Sequence, residues 1–336
     1  MIHVVQPRAE RIRSLYLAFN NIYDVFCLLQ SQDHEDTLPL HVWSFPNLKY
    51  LTLCLYFYPT ERTVVTALQS MPKLHTVELS HVDELIIQLP WAQLTSLTIY
   101  LISESLFRVL LAQCPALETG RFSVRGKDSH EDLPIVNITL TQLTTLKVRF
   151  LGRSHPEIFD GIRFPSLDNL TLRLSYRADE CYWTAPEFPQ LAPISTLSLE
   201  GHIDTPDMIN ILRETKNVTT LKVEFEDGHG EVLKALTLGE EDEEVLLPKL
   251  GVLHVRMCSH HLCEPFAVVD FVGMVVSRSP SGAAPLDVAP LREVWVGVET
   301  RAYGANTLKA DLDTVFEQWS HKTDMPLVRY ENDVTY

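Results

Sequence analysis

The chain has 336 residues, 46% of them hydrophobic and 21% charged, the balance of an ordinary globular protein. Its formal net charge of -16 opposes general binding to nucleic acid or to an anionic membrane, since both ask for a basic surface. No run approaches the roughly 18 uninterrupted apolar residues of a membrane span, and the start, MIHVVQPRAERIRSLYLAF, lacks the order of a secretory signal.

One phrase, x-P-x-L-x-x-L-x-L with other apolar residues allowed at the leucine places, returns along the whole chain. A degenerate copy, RIRSLYLAF, opens at 11, and FPNLKYLTLCL follows at 45. Then come MPKLHTVELS at 71, WAQLTSLTIY at 91, CPALETGRFS at 114, TQLTTLKVRF at 141 and FPSLDNLTLRL at 164. The series ends with LAPISTLSLE at 191, KNVTTLKVEF at 216, LPKLGVLHVR at 247 and APLREVWVGV at 289. From Leu48 to Val218 the first apolar anchor recurs after 26, 20, 23, 26, 24, 27 and 24 residues. That spacing matches a leucine-rich period of about 20 to 29 residues.

Each copy is expected to end in a short strand whose leucines alternate inward. One such strand cannot bury its apolar face alone, whereas stacked copies pool their leucines into one core. The prolines suit the approach to a strand, because they end a preceding turn and favour extended backbone. Between strands, apolar residues at helical spacing predict helices at 60–72, 102–115, 204–217, 264–280 and 306–322. The helix at 306–322 and the tail MPLVRYENDVTY are expected to cap the core. LGEEDEEVLLP at 238 and SRSPSGAAPLDVAP at 277 fall in long gaps and read as surface insertions, near 238–247 and 277–290. The length would suit two domains, but a repeat array uses it as one body, so a single domain over 1–336 is expected.

The phrase, its irregular period and the helices between strands resemble leucine-rich-repeat proteins. More narrowly, they are similar to the C-terminal repeat region of F-box proteins, especially those abundant in mushroom-forming fungi. The resemblance implies an α/β solenoid, a horseshoe of about eleven irregular repeats with a parallel concave sheet and helices and loops on the convex side. It also implies protein recognition, as the substrate-binding region of a ubiquitin ligase receptor. Repeat-type sequence is under way by Ile12, so the F-box itself is expected to be absent. The adaptor of a cullin-type ligase is then a partner only if the full gene product carries an F-box. The alternatives are a stand-alone scaffold or inhibitor, or a receptor for an anionic small molecule.

Signatures of catalysis are missing: there is no G-x-S-x-G, Walker loop, G-x-G-x-x-G or H-E-x-x-H. No enzyme activity and no cofactor are therefore expected. His-Glu-Asp occurs near 34 and 130, in polar stretches read as loops. His254, Cys258, His260, His261 and Cys263 crowd together, yet lack the two spaced ligand pairs of a zinc module, so no metal is expected. The six cysteines are thinly spread, which suits reduced thiols in a cytoplasmic or nuclear protein.

The residues between inward leucines should form columns on the exposed sheet face. One column reads Tyr16, Thr52, Glu78, Thr98, Arg121, Lys147, Thr171, Ser198, Lys222, His254, Trp295. The next reads Ala18, Cys54, Ser80, Tyr100, Ser123, Arg149, Arg173, Glu200, Glu224, Arg256, Gly297. Arg121, Lys147, Arg149 and Arg173 thus form a candidate partner-binding basic island for a phosphate, an acidic peptide tail or a carboxylate ligand, unless Glu200 and Glu224 neutralise it. Trp295 and Tyr100 are candidate aromatic contacts, with Trp295 packing beneath the 277–290 insertion as the other possibility.

Overall fold

The computed structural model describes residues 6–19, 45–55, 63–65, 70–80, 85–126, 137–152, 156–175, 194–201, 203–225, 229–239, 245–257, 267–280, 287–298, 305–320 and 325–330. Packing divides the chain into two compact units, Met1–Ser166 and Leu167–Tyr336.

In the first unit the main strands are β1 (Ser14–Phe19), β2 (Tyr50–Leu55), β4 (Thr76–Ser80), β6 (Ser96–Ser103), β7 (Thr119–Arg125) and β9 (Thr145–Leu151). They pair in chain order and all parallel. Two shorter parallel pairs join β3 (Thr63–Val65) to β5 (Leu85–Ile87), and β8 (Ile138–Thr139) to β10 (Ile162–Arg163). Helix α1 (Glu104–Gln113) starts at Ser103, whose hydroxyl accepts the Leu106 N–H at 3.4 Å.

The second unit repeats the plan with β11 (Asn169–Ser175), β12 (Thr196–Glu200), β13 (Thr220–Phe225), β14 (Val252–Met257), β15 (Glu293–Val298) and β16 (Leu327–Tyr330). These also pair parallel in chain order. Its helices are α2 (Thr205–Glu214), α3 (His229–Leu236), α4 (Val268–Ser277) and α5 (Ala305–Ser320).

A recurring set of hydrogen bonds explains the recurring phrase. Ahead of the strands the anchor N–H donates to the carbonyl three residues back: Leu48 to Phe45, Leu74 to Met71, Leu117 to Cys114, Val218 to Thr215, Leu250 to Leu247. The two residues after the anchor then share one carbonyl of the preceding rung. His75 and Thr76 donate to Lys49, Thr95 and Ser96 to His75, and Thr219 and Thr220 to Ser195. The turn therefore fixes strand register, and register fixes which side chains face the core. Leu51, Leu53, Val77, Leu79, Leu97 and Ile99 are buried in the first unit, as are Leu170, Leu172, Leu197, Leu199, Leu221 and Leu253 in the second.

Several expectations change. Within 60–72, residues Thr63–Val65 form the strand β3 and not a helix; this Thr-Val-Val run is β-branched and favours extended backbone. Helix α3 was not foreseen. Asp204 precedes α2 but makes no side-chain cap bond, and its backbone carbonyl accepts from Met208 instead. The tail holds β16, a further strand paired with β15, rather than only a cap.

The two stretches read as surface insertions are partly core. Leu246, Leu247, Arg278 and Ser279 are all buried. The Arg278 guanidinium donates to the carbonyls of Leu236 (2.6 Å), Leu247 (3.1 Å) and Leu246 (2.5 Å). The first of these is the last residue of α3, whose terminal carbonyls have no partner inside the helix. Arg108 on α1 does the same in the first unit, donating to Glu157 (2.6 Å), Ile158 (3.0 Å) and Asp160 (2.8 Å). In each unit one buried arginine thus ties distant connections together: Arg108 joins α1 to the 3-10 turn Pro156–Phe159, and Arg278 joins the end of α3 to Leu246 and Leu247.

Candidate functional site

The side chains turned away from the core fall into the columns that the alternation predicts. In the first unit Tyr16, Thr52, Glu78, Thr98, Arg121 and Lys147 are successive register partners. Ser80, Tyr100, Ser123 and Arg149 follow one another in the neighbouring column. Alternation along β7 carries on to Arg125, which is exposed like Arg121. Among the outward positions of the six described main strands, the first unit holds four bases, Arg121, Arg125, Lys147 and Arg149, and one acid, Glu78.

That acid is already engaged. The half-exposed Tyr100 hydroxyl donates to Glu78. Burial and the Glu78 charge raise the tyrosine pKa above its ordinary value, while Arg121 pulls it the other way. Next to Tyr100, Leu101 takes a left-handed φ of 71° and the register slips by one, so that Ile102 returns to the core fully buried. The bulge interrupts the in–out alternation along β6 after Tyr100 and delivers the chain to Ser103 and α1.

The outward face of the second unit is closer to balanced, with four bases to three acids among its described strands. Its described strands hold Arg173, Lys222, Arg256 and Arg329 against Glu200, Glu224 and Glu293. Arg173 pairs with Glu200 at 3.8 Å, Arg329 with Glu293 at 2.9 Å, and Glu224 stands opposite Arg256 in register. Lys222, His254, Trp295 and Arg329 form one column. The His254 and Trp295 rings stack at 5.4 Å with planes 3° apart, and the Arg329 guanidinium lies 5.0 Å from the Trp295 ring centre.

Of the four cations expected as one island, Arg121, Lys147 and Arg149 come together on β7 and β9. Arg173 belongs to the second unit, where Glu200 is its partner. Trp295 is half-buried, and with His254 and Arg329 packed on its ring it has little free face to offer. Tyr100 is exposed beside the basic group, as an aromatic contact would need. Sequence reasoning missed Arg125, which continuing the alternation two residues past Ser123 would have found. It missed Arg329 because MPLVRY shortens the phrase and puts Met325 where other copies have leucine.

Of the His and Cys cluster only His254 is described; Cys258, His260, His261 and Cys263 lie outside the described residues, as do both His-Glu-Asp stretches. Among the described residues no helix is long and apolar enough to cross a membrane. No protein-family model matches this sequence, and no curated protein or solved structure matches it.

Proposed function

We propose that this chain is a leucine-rich-repeat protein that recognises protein partners with the outward sheet face of its first unit. The observation that supports this is the charge of that face: four bases to one acid, in a chain with 44 acidic and 28 basic residues. Basic residues held on adjacent rigid strands give a preformed surface whose charge favours encounter with an acidic partner. By its resemblance to F-box repeat regions, the partner is a protein substrate selected for a cullin-type ubiquitin ligase. The ligase adaptor joins only through an F-box in the full gene product.

Lys147 makes the reading testable, because its amine sits within the face. Amine-reactive cross-linking of the tagged full gene product in its own cells should join a partner to Lys147. Co-recovery of adaptor and cullin supports the ligase role; a Lys147 partner without them favours the stand-alone scaffold. Partners cross-linked only to lysines elsewhere would defeat the reading.

A further inference from the structure

Resting on that functional reading, we propose the class of partner: an extended peptide segment whose carboxylates stand at alternate positions along its chain. Lys147 and Arg149 lie two residues apart on one parallel strand, so their side chains leave the sheet about 6.6 Å apart. Arg121 stands directly opposite Lys147 on the adjoining strand, at the parallel-strand separation of about 4.8 Å. Among the described residues neither Arg121 nor Lys147 has an ion pair, so both are available to a ligand. Arg125 and Arg149 have contacts of their own and add positive charge around this pair.

The arrangement is a grid of cations and not a convergent pocket. An extended peptide lying along β9 repeats its same-side groups every two residues, in step with Lys147 and Arg149. Consecutive acids would point to alternate sides, and half of them would miss. A carboxylate between Arg121 and Lys147 could accept from both, with the fork of arginine supplying paired donors. On the other flank Glu78 repels acid, so the acidic part of the ligand ends near Tyr100, whose exposed ring suits an apolar residue. A nucleic acid strand brings many more charges than this face can meet and is opposed by the chain's net charge of -16. A compact polyphosphate needs donors converging on one point, which a flat grid does not provide.

Fluorescence anisotropy with the full chain tests this. The probes are a labelled peptide of alternating Glu and Ser, a peptide of the same composition with its Glu residues in one block, inositol hexakisphosphate as competitor and an oligothymidylate. The alternating peptide should bind best, lose about tenfold or more with R121E/K147E, and weaken with added salt. K222E/R256E, which alters the charge of the second unit by the same amount, should leave binding unchanged. Thermal unfolding checks that each variant folds, with R121Q/K147Q in reserve. Equal binding of the block peptide, tighter binding of polyphosphate or oligonucleotide, or equal losses in both reversal variants would overturn the proposal. A partner cross-linked to Lys147 in a chain that ignores the alternating peptide would sink this proposal alone. Absence of any Lys147 cross-link would sink the functional reading and this proposal together.

Discussion

The imidazole of His254 lies against the indole of Trp295, centroids 5.4 Å apart and planes within 3°, while Arg329 caps the same indole from the next strand. Cation and ring therefore hold each other across β15 and β16, at the end of the sheet ladder in this unit. A double-mutant cycle between W295L and R329M should show coupling of about 0.5–1 kcal/mol. Urea unfolding gives the four stabilities. E293Q, which removes the 2.9 Å ion pair and leaves the ring contact, separates the two contributions of Arg329. Zero coupling in the E293Q background would show that the stack contributes nothing.

Arg278 is 1% exposed and donates to three carbonyls, of which that of Leu247 also accepts the Leu250 N–H. Burial lowers its pKa to about 10, still far above neutrality, so the side chain remains charged at pH 7. R278M keeps the volume but takes their side-chain donor from the carbonyls of Leu236 and Leu246, at roughly 1–3 kcal/mol for each buried group left unpaired, while Leu247 keeps Leu250. The expected loss is at least about 2 kcal/mol, measured by denaturant unfolding. Amide hydrogen exchange should rise first at the end of α3 and at 246–247, where the acceptors lie. R278K restores charge but not the fork, and should recover less than half of the loss.

The sequence disclosed the strand faces and concealed what holds the connections. Leu51, Leu53, Leu170 and Leu172 announce themselves because alternation is local, and the turn before each strand copies one register into the next. Placing Arg121 opposite Lys147 needed nothing more. Whether a cation is paired was raised but not decided by the sequence: Glu200 stood as a possible neutraliser, and the fold sets it 3.8 Å from Arg173. Arg108 and Arg278 were illegible, since their acceptors lie dozens of residues away. Arg278 lies in a stretch that reads as a surface insertion and Arg108 in an apolar-periodic helix, and the burial of both became visible only with the connections in place.

Tyr100 titrates late because burial, the Glu78 charge and the bond to Glu78 all oppose the phenolate. Its folded pKa lies above the unfolded value near 10, so its stabilisation is full below that pH and is lost as pH rises through the folded value. Ultraviolet titration of wild type against Y100F isolates this group. E78Q should bring the Tyr100 transition down toward the ordinary value, whereas R121Q, which removes a nearby cation, should push it higher. If both variants shift it the same way, or neither does, the bond across β4 and β6 is not what holds the proton.

Gly120 occupies a place where most copies of the phrase carry an inward leucine, and its register partners are Leu97 and Leu146. The missing side chain is replaced by an aromatic neighbour. Phe122 packs edge-on against Phe107 at 5.0 Å, and a Cβ on residue 120 would meet its Cε2 at 2.7 Å. Phe107 is fully buried and also meets Phe159 at 6.1 Å, so the ring has little freedom to retreat. G120A should therefore cost about 1–3 kcal/mol by overpacking. F122L alone should also destabilise, through the loss of ring contacts. Combined, the two should cost less than their sum, because the smaller side chain removes the clash and residue 120 refills part of the space. Thermal unfolding of the four proteins decides it. Strict additivity would mean that Gly120 is small for some reason other than the ring of Phe122.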